Sequence, residues 1–111
     1  MGIRSDVGIA VKSEFTEGFE AIASEHQVDF ANTFTKEEGK AYLFEYVKWN
    51  TDFSHVEALT NYLTSIGEEN YIIVEACHDY PESTDGDAGE WYDNPFNVSR
   101  NISVSISIDS E

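Results

Sequence analysis

The run Glu75-Ala76-Cys77-His78-Asp79 gathers a thiol, an imidazole and two carboxylates within five residues. A Cys–His nucleophile pair works only if the two side chains converge. The run sits in an extended pattern, where neighbouring side chains point to opposite faces, so Cys77 and His78 are not expected to pair. Glu75 and Cys77 share a parity but form no catalytic pair. Cys77 is the only cysteine, which excludes an internal disulfide and a Cys-rich zinc site. A lone cysteine in such a strand is expected to act as a small buried hydrophobe.

Oxygen ligands come next. Asp85, Asp87, Glu90 and Asp93 lie in a glycine-containing stretch and are of the type that holds Ca²⁺ or Mg²⁺. The EF-hand register fails, because counting from Asp85 puts Gly89 fifth, Glu90 sixth and Phe96 twelfth. His26, His55 and His78 have neither H-x-x-x-H nor H-E-x-x-H spacing. We therefore expect no dedicated metal site, no cofactor and no assigned catalytic residue. Paired carboxylates for general acid–base work carry little weight in a chain with 22 acids. Asn97-Val98-Ser99 and Asn101-Ile102-Ser103 match the glycosylation sequon, but the N-terminus has no signal-peptide apolar stretch to send them to a glycosylating compartment.

The strongest signal is charge. The 111 residues carry 22 acids and 6 Lys or Arg, a net charge of -16. Residues 1–48 hold 9 acids and 5 bases, whereas residues 49–111 hold 13 acids and 1 base. Such a balance excludes direct grip on nucleic-acid phosphate and docking on anionic lipid. No apolar run reaches the roughly 20 residues of a membrane span. Apolar residues at 41% and aromatics at 14% set the chain apart from a disordered acidic tail. The expectation is one folded acidic domain over residues 1–111, cytoplasmic.

The elements that position these groups read as β-α-β-α-β-loop-β. Val7, Ile9 and Val11 alternate with Gly8, Ala10 and Lys12 as a first strand. Ser13 can cap a helix in which Phe15, Phe19, Ile22 and His26 fall at helical spacing. Between His26 and Gly39 the pattern is unassigned, with Phe30 and Phe34 as core anchors. Ala41 to Trp49 is bulky on both parities and is placed centrally in the sheet. Ser54 and Glu57 fit a capping box. The helix behind them buries Val56, Leu59, Leu63 and Ile66 and stops at Gly67. Tyr71 to His78 is the third strand. In the last, Val98, Ile102, Val104, Ile106 and Ile108 alternate with Ser99, Asn101, Ser103, Ser105 and Ser107, a half-buried strand with one wet face. The expected fold is an α+β two-layer sandwich, a sheet of about four strands with two helices, and a long acidic loop at residues 81–96.

Met1-Gly2-Ile3-Arg4-Ser5-Asp6-Val7 resembles the opening Met-Gly-Tyr-Arg-Ser-Asp/Glu-Val of a family of small uncharacterised phage and prophage proteins, departing at Ile3. Lys48-Trp49 ahead of the helix from Val56 to Leu63 is similar to that family, as are Asp93-Asn94-Pro95-Phe96 and Arg100 in the final strand. The resemblance implies a phage or prophage source and no agreed activity. By analogy of size and charge alone, DNA-mimic anti-restriction and anti-CRISPR proteins are comparable. Arg4 and Arg100 are expected to tie to carboxylates and fix the start of an outer strand.

These readings converge on a non-enzymatic inhibitor of a host defence protein, a CRISPR effector or restriction nuclease. It would cover the basic nucleic-acid-binding surface of that partner as an acidic decoy. Asp79, Glu82, Asp85, Asp87, Glu90 and Asp93 would steer the contact, and Trp91 and Tyr92 would anchor it. A homodimer is compatible with this reading. The alternatives are a small carboxylate-based metal-dependent hydrolase and an acidic phage accessory protein without inhibitory role.

Overall fold

The computed structural model describes residues 4–50, 52–79, 87–91, 93–96, 98–100 and 104–106. Strand β1 (Ser5–Lys12) leads through a 3-10 turn (Ser13–Phe15) into helix α1 (Thr16–Glu25). Strands β2 (Asn32–Lys36) and β3 (Gly39–Val47) form a hairpin. Helix α2 (Ser54–Ile66), a second 3-10 turn (Glu68–Asn70) and strand β4 (Tyr71–Cys77) follow. The sheet is antiparallel with order β2-β3-β1-β4. The fold is α+β, as the residue patterns predict.

The fourth strand of this sheet differs from the expected one. It is β2, from the stretch left unassigned, and not the C-terminal run. That run instead contributes strand β5 (Ser99–Arg100) and strand β6 (Val104–Ser105), paired antiparallel with Ser99 opposite Ser105. Strand β3 lies inside the sheet, as expected. Strand β1, which Arg4 was expected to start as an outer strand, also lies inside it, between β3 and β4.

Register explains the first core. Val7 sits between Phe44 and Glu75, and Ile9 between Tyr42 and Ile73. Their side chains share one face with Val11 and Tyr71. The helices cover this face with Phe19 and Ala23 of α1 and Val56, Leu59 and Leu63 of α2. Phe19 stacks on Tyr42 and Phe30 meets it at a tilt, each with ring centroids 4.7 Å apart. Each fully buried aromatic or aliphatic side chain here contributes about 1.5–3 kcal/mol.

The opposite face is covered too, which corrects the expected wet face. Ala10, Ala41 and Ala76 form its floor, and Trp91, Phe96 and Val98 close over it. Phe34, Leu43, Ile72, Val74 and Ile106 pack around this second core.

Neither helix has the expected side-chain cap. Helix α2 begins at Ser54 with Phe53 as its N-cap residue, so Ser54 is one position too late to cap and the Ser54/Glu57 box does not form. Ser13 likewise makes no side-chain cap, because the 3-10 turn separates it from α1. Gly67 ends α2 with φ +100°, a conformation open to glycine.

Candidate interaction surface

Residues 87–91 run antiparallel along the outer edge of β4. The Ile73 N–H donates to the Ala88 carbonyl at 2.8 Å, and the Ala88 N–H returns to the Ile73 carbonyl at 3.0 Å. The Trp91 N–H reaches the Tyr71 carbonyl at 3.2 Å. Gly89 allows this approach, because a Cβ there would lie 2.3 Å from the Tyr71 carbonyl oxygen. The segment thereby covers an edge that would otherwise template pairing with another chain.

This course decides where the expected contact residues sit. Asp79 is exposed just beyond the C-terminal end of β4. Asp87 is half-buried, and its Oδ1 accepts the Glu75 N–H at 3.0 Å. Glu90 is exposed at the other end of β4, with its N–H on the Glu68 carbonyl at 2.6 Å. Asp93 is exposed in the following turn. The structure thus spreads these acids along β4, roughly 20 Å for a seven-residue strand, and adds Glu68 and Glu69 at the Glu90 end. Glu82, Asp85 and Tyr92 lie outside the described residues.

Trp91 does not fit the role expected of it. It is 4% exposed and belongs to the second core, with the Lys12 ammonium 5.9 Å above its ring. An aromatic side chain already buried within the chain is not offered to a partner. The large apolar side chains left exposed among the described residues are Tyr46 at 61% and Phe53 at 41%.

Tyr46 belongs to a polar cluster that the residue patterns did not reveal. Between the pairs Ser5–Val47 and Val7–Phe44, β3 carries one residue more than β1. This bulge puts Tyr46 at φ +55°, a strained conformation for a bulky side chain. Asp6, 8% exposed, holds it there by accepting the Tyr46 N–H at 2.9 Å. The same Asp6 Oδ1 lies 2.9 Å from His78 Nε2. The Tyr46 ring meets the His78 ring edge-on at 5.1 Å, and the Arg4 guanidinium lies 5.3 Å over it. Arg4 therefore sits on an aromatic ring, and the carboxylate beside it, Asp6, is bonded to His78. The available signal was Asp6 itself, an acid inside an apolar strand. Cys77 is half-buried and unbridged, with His78 engaged on Asp6.

A second, partly buried polar contact ties α1 to β3. The Tyr42 hydroxyl donates to Glu20 Oε2 at 2.8 Å, and Lys40 Nζ bonds the same oxygen at 3.0 Å. Burial, followed by the Glu20 carboxylate, pushes the Tyr42 hydroxyl far above the usual tyrosine range. For Glu20, burial acts upward, but hydrogen bonds from Tyr42 and Lys40 and the Lys40 charge outweigh it and hold the carboxyl below its ordinary value.

Among the described residues, no three His, Cys, Asp or Glu side chains gather as a metal-ligand group, and no helix is long and apolar enough to cross a membrane. Comparisons with family models, curated proteins and solved structures found no match to this chain.

Proposed function

We propose that this protein is a non-enzymatic acidic ligand for the basic nucleic-acid-binding surface of another protein. The host-defence setting and the bacterial cytoplasm come with the phage-type resemblance. One observation carries the reading: the fold displays exposed carboxylates that the ion pairs among the described residues do not use. Glu14, Glu17, Glu25, Glu68, Glu69, Asp79, Glu90 and Asp93 are all exposed. Among the described residues the Lys40–Glu20 ion pair and the His78–Asp6 contact use other acids.

These exposed carboxylates lie on the two 3-10 turns, on α1 and in the segments flanking β4, and together they oppose the charge of a basic groove. Such a surface raises the association rate with a basic partner and registers the contact. Tyr46 and Phe53 replace Trp91 as the exposed aromatic anchors in this proposal.

The test is competition. A partner captured from bacterial lysate is mixed with labelled duplex DNA or RNA and titrated with the protein at low and high salt. The expected result is displacement of the nucleic acid that weakens as salt rises. Simultaneous binding of protein and nucleic acid with unchanged affinities overturns the proposal.

A further inference from the structure

The two edges of the sheet differ. The outer edge of β4 is covered by residues 87–91, whereas among the described residues nothing pairs with the outer edge of β2. The groups that face outward there follow from the ladder. In an antiparallel sheet a residue's N–H and carbonyl both point to one neighbour, and the side alternates along the strand. The Ser13 N–H bonds the Glu38 carbonyl at 2.8 Å and continues the β1–β3 register in which Lys12 opposes Gly39. Glu38, Lys40 and Tyr42 therefore face β1, and Gly39, Ala41 and Leu43 face β2. Their partners Lys36, Phe34 and Asn32 are the bonded residues of β2. Thr33 and Thr35 turn their backbone groups to the open side, and both are exposed. The Thr33 N–H shows this directly, since it donates to the side chain of its own neighbour, Asn32 Oδ1, at 2.9 Å.

Chains guard open edges with proline, a bulge, an inward charge or a lysine. Strand β2 has neither proline nor bulge over Asn32–Lys36. Its one lysine, Lys36, is engaged within the chain, with Nζ on the Pro95 carbonyl at 3.1 Å. The Thr33-Phe34-Thr35 centre suits a pleated ladder. An unguarded edge of this kind recognises an extended peptide, which adds to it as a strand through main-chain hydrogen bonds. Charge selects which peptide. The strand itself holds no acid, but exposed Asp29 precedes it and exposed Glu37 and Glu38 follow it. A second copy in antiparallel register would bring Asp29 of one chain toward Glu37 and Glu38 of the other, on top of a net charge of -16 each. A segment with basic ends is attracted instead, because opposite charges paired across strands are favourable. We infer that the outer edge of β2 takes up an extended segment of the basic partner as an added strand, uncharged at its centre and basic at its ends. That the partner is basic rests on the function proposed above.

The test uses the full chain, labelled with ¹⁵N, and three peptides that share a Thr-Val-Thr-Val centre. One carries a pair of lysines at each end, one carries a pair of glutamates at each end, and one is the lysine peptide N-methylated throughout its centre. The lysine peptide should bind saturably, shift the Thr33 and Thr35 amides most and slow hydrogen exchange at Thr35. The other two should fail to saturate. Thr35→Pro should fold, because no β2–β3 bond uses that N–H, and should weaken the lysine peptide about tenfold or more through the lost hydrogen bond and the obstructing ring. Equal binding of either control peptide, shifts confined to other elements, or unchanged affinity in a Thr35→Pro chain with a dispersed spectrum overturns the inference. If Thr35→Pro does not fold, the peptide comparison and the exchange at Thr35 decide it. Protection of Thr35 that grows with concentration of the chain alone puts a second copy on the edge and also overturns it. A basic partner that binds wild type and Thr35→Pro equally well overturns it while leaving the decoy reading intact. Binding of the lysine peptide along β2, beside a partner that holds the protein and its nucleic acid together, supports the added strand and removes only the decoy reading.

Discussion

On the helix-covered face the sheet supplies the bulk: Val7, Ile9, Val11, Tyr42 and Phe44 project into the first core. On the opposite face the fully buried sheet residues are small, Ala10, Ala41 and Ala76, ringed by the half-buried Phe34, Leu43, Ile72 and Val74, and the fully buried bulk descends from the C-terminal segment as Trp91, Phe96 and Val98. Gly8, paired with Leu43 and Val74, adds to that small-residue floor. The two cores are complementary in volume, since interiors close-pack and a thin floor demands a thick cover. The difference bears on function. The acidic segment turns Trp91 and Phe96 inward and leaves Glu90 and Asp93 exposed. Its charge is available to a partner, and its tryptophan is not.

The largest effect is expected at that tryptophan. Trp91→Ala should cost about 3–5 kcal/mol, the range for deleting a large aromatic from a core. Urea unfolding measures it. Leu59→Ala on the helix-covered face should cost about 2–5 kcal/mol by the same mechanism. Stability unchanged in Trp91→Ala beside a large loss in Leu59→Ala would show that the second face is a loose cover and not a core.

The next effect tests how that cover is fastened. Gly89 has φ +91°, and a Cβ would meet the Tyr71 carbonyl. Gly89→Ala should destabilise by up to about 3 kcal/mol. It should also raise hydrogen exchange at the Ile73 amide, which bonds Ala88. Exchange unchanged at Ile73 would mean that residues 87–91 hold β4 without the close approach at Gly89.

Between the two faces sits the Tyr46 bulge. Asp6→Ala should cost about 1–2 kcal/mol, because it leaves the Tyr46 N–H without its acceptor. Adding Tyr46→Gly should recover part of that loss, since glycine adopts positive φ without strain. A double variant no more stable than Asp6→Ala would show that Asp6 acts through His78 alone.

What the residue patterns revealed and missed follows the same division. Strands β1 and β4 and helix α2 were legible because their apolar periods are strong and local. Strand β2 was not, because Asn32-Thr33-Phe34-Thr35-Lys36 is an edge strand with one large apolar residue. The C-terminal alternation was legible as extended, but alternation reads the same whether a chain continues or doubles back, so the β5–β6 pairing was hidden. Trp91 looked exposed because its sequence neighbours are polar, and its burial is decided by alanines 15 to 81 residues away. Of the expected contact residues, the exposure of Asp79, Glu90 and Asp93 was legible from charge alone. The Asp6–His78 contact joins residues 72 positions apart and has no local signature.

The smallest effect belongs to the helix-covered face and to pH. The Glu20 carboxyl is held below its ordinary value of 4.5 in the folded chain. A depressed carboxylate contributes stability that is fully present above the unfolded value and is lost as pH falls through the folded one. Glu20 should therefore stabilise the protein fully above pH 4.5 and lose that contribution progressively as pH falls from there through the lower folded value. The side chain of Glu20 is 39% exposed, so solvent screens the Lys40 pair and the effect is modest. Glu20→Gln isolates it, because the amide oxygen can still accept the Tyr42 hydroxyl while the charge is gone. Wild type should exceed the variant in stability at pH 6 and converge with it near pH 3, measured by urea unfolding at each pH. Acidification also relieves self-repulsion across a chain of net charge -16, which acts on both proteins and cancels in their difference. A constant difference across that range would show that Glu20 ties α1 to β3 by its hydrogen bonds and not by its charge.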